Sequence, residues 1–327
     1  MRSATGALAA VLLLTAGLAQ ANTPALPPPV WPGNVRPTEV HEPVSGCRIG
    51  VPQQLSSEPA FWKGDCPNGV AQGRGKLLWT KSRYSYEGVL RDGRMNDEHG
   101  VLEWRRYHYE GGFVDGHLTG QATLRWLGNS SSALDHFTGQ FKDGEPEGLG
   151  IWVSKSSRKE GEFKHGKLNG RGTVEMAFYR YDGDLVDDVP HGAGVEIRDG
   201  GYRYEGKFSH GRFDGEGVLM HPDGERSEGT FRRGKLFGMA TQRLYDGTRY
   251  DGTFVNGARE GHGVLVMADG GRYEGDFYGG AADGMGLYIA ASGERFEGRW
   301  HLGCFSDGSR RAAVITPLNF CLALGQP

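Results

Sequence analysis

Beyond Leu18 the chain has no apolar run that approaches the length of a membrane span. Helix-forming residues never fall into a long amphipathic series, which argues against a helical bundle. Charge of one sign is missing as well: 37 Lys and Arg stand against 40 Asp and Glu, a formal net charge of -3. So balanced a chain has no long-range hold on a polyanion, and nucleic acid is not an expected partner. The short frames that carry chemistry are also lacking. No Gly-x-Ser-x-Gly elbow, no C-x-x-C pair and no H-x-x-x-H pair occurs, which removes the usual settings for an activated serine, a thiolate zinc site and a helical metal site. Gly73-Arg74-Gly75-Lys76 fails as a phosphate loop, because Val70 stands where the first glycine is needed and Leu77 where Ser or Thr is needed.

What is present begins with Arg2, a small and apolar stretch from Ala7 to Leu18, and Ala19-Gln20-Ala21. That three-part pattern predicts a secretory signal peptide of bacterial type over residues 1–21, cleaved after Ala21, and a periplasmic or extracellular mature chain. Four cysteines suit an oxidising compartment. Cys47 and Cys66 lie near one end of the chain body, Cys304 and Cys321 near the other. Three pairings are open, and we expect the local one, Cys47 with Cys66 and Cys304 with Cys321, closing two short loops worth about 3 kcal/mol each in the chain-entropy model. Residues 22–61, which include Pro27-Pro28-Pro29, read as a proline-rich spacer leading into an N-terminal cap.

From there on, repetition dominates. Glycine numbers 55, and a triplet of aromatic, acidic and Gly recurs as Tyr86-Glu87-Gly88, Tyr109-Glu110-Gly111, Tyr181-Asp182-Gly183, Tyr204-Glu205-Gly206, Tyr250-Asp251-Gly252, Tyr273-Glu274-Gly275 and Phe296-Glu297-Gly298. Variants appear at Phe137-Thr138-Gly139, Lys159-Glu160-Gly161 and Ser227-Glu228-Gly229. The glycine-to-glycine steps are 23, 28, 22 and 22, and then 23 five times. Between the glycines apolar and polar residues alternate with period two, the mark of a hairpin, and Asp-Gly pairs such as Asp223-Gly224 and Asp246-Gly247 supply a second tight turn. Glycine normally weakens a strand, so its locked positions need a role. We expect each Tyr or Phe ring to lie over glycines of the neighbouring strand.

These residues resemble the MORN repeat, the membrane occupation and recognition nexus motif, with its Tyr-Glu-Gly, a glycine five residues on and a Gly-x-Gly pair. The resemblance runs from about Trp62 to Phe305 and suggests an exported bacterial member of that family. Asp188 departs from it at the plus-five glycine, Ala122 and Ala240 at the last glycine, and one residue is inserted between Gly93 and Gly100. The implied fold is all-β, an elongated twisted antiparallel sheet of stacked hairpins, with the array over 62–303 and a disulfide cap over 304–327. The resemblance implies protein association and in some cases membrane lipid contact. We therefore expect a non-enzymatic scaffold with an envelope or secreted protein partner, and keep phospholipid binding and glycan or peptidoglycan binding as alternatives.

Candidate chemistry is sparse. Eleven histidines are scattered, and His165 and His210 share a turn position with Asp92, Asp115, Asp143 and Asn256, so turn chemistry accounts for them better than a metal. The Asp-Gly turns recur every 23 residues, too far apart to share a cation. No cofactor is expected. The leads left are three tryptophans at one repeat position, Trp79, Trp104 and Trp126, with Arg105, Arg106 and Arg125 beside them, and the enlarged connection from Leu127 to His136 containing Asn129 and Ser130. Two readings stand: a partner-binding strip at the N-terminal third, or rings that pack along the sheet.

Overall fold

The computed structural model describes residues 38–51, 55–104, 106–126 and 135–323. The expected signal peptide and most of the enlarged connection lie outside the described residues. Strand makes up 69% of the described residues, and the α-helix among them is the short Leu318–Ala323. From Ala60–Asp65 to Arg311–Ala313, 24 strands form one antiparallel sheet in chain order. The chain-order pairing is interrupted at the short Arg94–Met95, which shares a partner strand, Tyr84–Arg91, with Asp97–Trp104. Among the described residues no register pair joins the first of these strands to the last, so both ends are edges.

One unit explains the rest. Tyr202–Ser209 turns at His210-Gly211 into Arg212–Met220. Both turn residues have positive φ, 49° and 73°, the two-residue turn whose twist matches that of the flanking strands. The N–H of Gly211 donates to the carbonyl of Pro190 in the preceding unit at 2.9 Å. The same latch recurs from Gly234 to Phe213, from Gly257 to Leu236 and from Gly280 to Arg259 at 2.8–3.0 Å. Every turn therefore binds its own unit to the previous one. At the far end of the unit the Asp223 carboxylate accepts the Glu225 N–H at 3.0 Å, and Asp246 and Asp269 do the same for Thr248 and Gly271 at 2.8 Å.

Tyr204 supplies the interior. Its ring lies over the cross-strand pair Gly206 and Gly217, where a methyl group on Gly217 would fall inside the ring. The strand then bulges at Lys207, where the register shifts, and the Tyr204 hydroxyl donates to the Lys207 carbonyl at 3.0 Å. Tyr181, Tyr250 and Tyr273 repeat this bond to Asp184, Thr253 and Asp276 at 2.7–3.2 Å, each again at a register shift. A bulge leaves a backbone group outside the ladder, and the phenol satisfies it. Rings also touch from unit to unit, edge to face: Tyr204 meets Phe208 at 5.1 Å and Phe231 of the next unit at 5.3 Å. Tyr250 similarly meets Phe254 and Phe277, and Tyr273 meets Trp300. Such pairs contribute roughly 0.5–1.5 kcal/mol beyond their burial. The rings of Tyr181, Tyr250 and Tyr273 are fully buried although no second layer covers them, because neighbouring rings do so.

Each end carries a cap. The hairpin of Thr38–His41 and Arg48–Val51 buries Ile49 and Val51 completely, and its Gly50 N–H donates to the Gly93 carbonyl at 2.9 Å, the latch position of the first full unit. Cys47 is bonded to Cys66 beneath it. At the other end Cys304 is bonded to Cys321 of the terminal helix, and Phe305 lies against Trp300 at 5.3 Å.

Burial pushes the phenols of this row up, Tyr250 to about 12, because the phenolate loses its water. A folded-state pKa above the unfolded value of about 10 means that this contribution to stability is complete below pH ~10 and lost as pH rises through about 12. Alkaline titration should therefore show phenolate absorbance rising together with loss of the native circular dichroism spectrum. Ionisation of the row at ordinary tyrosine pH with the fold intact would contradict this packing.

Candidate interaction surface

The three indoles of the N-terminal third do not share one environment. Trp79 is 1% exposed and Trp104 4% exposed, the latter stacked on Tyr107 with centroids 5.3 Å apart. Both rings belong to the packed face and offer no contact area to a partner. Trp126 is half-buried at the mouth of the enlarged connection, opposite Tyr107. Arg106 and Arg125 are exposed, whereas Arg105, Asn129 and Ser130 lie outside the described residues. Of the strip read from the sequence, then, the accessible described members are Trp126, Arg106 and Arg125.

The opposite face of the sheet repeats a different pattern. In four consecutive units the acidic residue of the triplet points outward beside an arginine two residues earlier: Arg203 with Glu205 at 2.7 Å, Arg226 with Glu228 at 2.5 Å, Arg249 with Asp251 at 2.8 Å, and Arg272 with Glu274 at 2.7 Å. Such exposed pairs contribute about 0–1 kcal/mol each, so their weight is in the surface they make rather than in stability. Leu149 and Met285, the middle residues of Gly-x-Gly, and Met239, at the same position before Ala240, stand more than 60% exposed on that surface. A face of neutralised charge with separated apolar side chains suits macromolecular contact.

Departures from the repeat collect on the inward face, where the sequence alone did not show their meaning. Lys159 occupies the ring position of its unit and Asp188 the plus-five glycine of the next, and the two meet: Lys159 Nζ lies 3.0 Å from Asp188 Oδ2, with side chains 12% and 25% exposed. Asp188 also accepts the Leu168 N–H at 3.0 Å and holds a φ of 69°, where glycine is otherwise placed. Glu196, only 4% exposed, takes an apolar inward position, bonded by Arg198 Nε at 2.6 Å and near the Tyr179 hydroxyl at 3.4 Å. Burial, with Glu196 beside it, pushes the Tyr179 phenol up. The signal available in the sequence was the departure itself. The pairing needed the register.

Among the described residues no group of three or more His, Cys, Asp or Glu is placed to hold a metal ion. His165 Nδ1 instead lies 2.9 Å from Glu145 Oε2 at an exposed turn. A comparison with protein families finds the MORN repeat, whose model matches residues 109–127, 137–157, 160–175, 181–202, 204–226, 228–249, 250–272 and 273–295. These segments together span just over half of the chain.

Two measurements follow. Trp104→Ala should lower stability by about 3–5 kcal/mol in urea titration, as a buried ring does, whereas Arg125→Ala should stay within about 0.5 kcal/mol. Equal, small effects would return Trp104 to the surface. For the Lys159 and Asp188 pair, K159Y and D188G should each destabilise, and the double variant should recover, with a coupling of about 1–3 kcal/mol. Strictly additive losses would show that the two departures are independent.

Proposed function

The chain belongs to the MORN repeat family, a non-catalytic repeat module, and from that premise we propose that it is an exported scaffold for protein association in the cell envelope. MORN repeats serve as scaffolds for protein or membrane interaction, and the observation that favours protein here is the ion-paired outward face. Arg203, Arg226, Arg249 and Arg272 are each matched with a carboxylate of their own strand, so this row presents no polybasic field to anionic lipid. Loss of Arg2 with the signal peptide would leave 36 basic against 40 acidic residues, in the same sense. A glycan platform needs open ring faces, which the buried Trp79 and Trp104 lack. Export is supported by the leader pattern and by the two disulfides, which persist in an oxidising compartment.

Full mature chain, immobilised in envelope extract, should retain a specific protein and should not float with anionic vesicles at physiological salt. The recovered native chain should begin at Asn22. Flotation without protein capture would replace this reading by the lipid one, and an intact Met1 in the native chain would remove export.

A further inference from the structure

Three inward positions that the repeat fills with apolar groups turn polar together in one place. The ring position held by Tyr204 and Tyr250 is Ser227 in the unit between them. The inward position after Gly-x-Gly, leucine at Leu219 and Leu265, is Gln242. The position nine residues after the ring, Phe213 in the Tyr204 unit, is Arg259 in the Tyr250 unit. Phe213 stacks on Tyr204 at 3.7 Å, and Arg259 takes the equivalent place over Tyr250, its Cζ 5.2 Å from the ring centroid.

The three converge. Ser227 faces Gln242 directly across the register, and Gln242 Oε1 accepts from Arg259 Nη2 at 3.2 Å. Gln242 Nε2 in turn donates to Glu225 Oε1 at 3.0 Å, which fixes its amide so that its oxygen faces the guanidinium. Arg259 Nε is buried with no hydrogen-bond partner, and among the described residues no carboxylate lies within ion-pair distance of the guanidinium. The aromatic face beneath a cation is favourable but does not supply the missing acceptor. A half-buried guanidinium short of one acceptor, beside the buried Ser227 where neighbouring units carry a ring, is suited to a ligand that brings a negative oxygen.

We propose that the slot formed by Ser227, Gln242 and Arg259 is a binding site for a single carboxylate group carried by a peptide partner. One cation stands there against two nearby acidic groups, Glu225 and Asp246, both of which act on Arg259. Repulsion from these two carboxylates is twice as large for a phosphate dianion as for a carboxylate monoanion, so any anion held by Arg259 is one of single charge. The proposal deepens the scaffold reading and rests on it.

The test uses the full mature chain and the Nε–H resonance of Arg259 in nitrogen-15 spectra. Three probes are titrated: N-acetyl-diglycine with a free carboxylate, N-acetyl-glutamate amide, and inorganic phosphate. A saturable shift with either carboxylate probe supports the site, and which probe works tells a chain terminus from an internal acidic side chain. No shift with either, or an equal response to phosphate, overturns it. Ser227→Tyr refills the slot with the ring of the repeat, which the Ala240 methyl permits, since Tyr109 already coexists with Ala122 at the equivalent positions. This variant should remain folded and bind the carboxylate probe at least about tenfold more weakly, and undiminished binding refutes the assignment. Because the probes report on the slot without any partner, failure of the site leaves partner capture intact, whereas failure of the scaffold reading removes capture while the probe response can persist.

Discussion

Everything in this protein depends on one contact: a tyrosine ring laid over a cross-strand pair of glycines, with its hydroxyl on the carbonyl that a bulge sets free. At Tyr204 the ring covers Gly206 and Gly217 and the hydroxyl reaches Lys207 at 3.0 Å. Glycine leaves the space for the ring, the bulge bends the strand around it, and the phenol completes the hydrogen bonding of the bend. A single layer of sheet gains in this way an interior that two layers normally make. Repeating the contact at constant spacing also places each ring against the phenylalanine of the next unit, so burial passes along the array as a chain of neighbours.

Such an architecture is stabilised unit by unit, and its weak points are its ends. The first and last units have only one neighbour each. Here a hairpin carrying Ile49 and Val51 covers one edge and a short helix tied by Cys304 and Cys321 closes the other. Each disulfide joins a cap to the array over a short loop, which restrains the cap where the stacking energy of a missing neighbour is absent.

Interior breaks in the ring row are a different matter, because the stacking there is given up between two intact neighbours. Lys159 is answered by Asp188, an ion pair that substitutes polar for aromatic contact. Ser227 is answered by nothing of comparable size, only by the approach of Gln242 and Arg259. An array used solely as a spacer has no physical need for a half-buried arginine short of an acceptor. The difference between the two breaks is what separates a compensated departure from a site.

The sequence by itself determined the fold class, since glycine spacing, period-two alternation and the turn dipeptides are local signals repeated ten times over. It also pointed to the ring-over-glycine contact, because a glycine locked in a strand admits few physical explanations. What the tertiary structure decided was which side chains are covered. Trp79, Trp104 and Trp126 occupy one repeat position, yet the first two are buried and the third is half-open beside the enlarged connection. Burial in a one-layer sheet is conferred by the neighbouring unit, so it cannot be read within one period. For the same reason the union of Lys159 with Asp188, and of Ser227 with Gln242 and Arg259, was invisible until the register brought residues of different units together. The departures were in the sequence, and their chemistry arose only from the strands that align them.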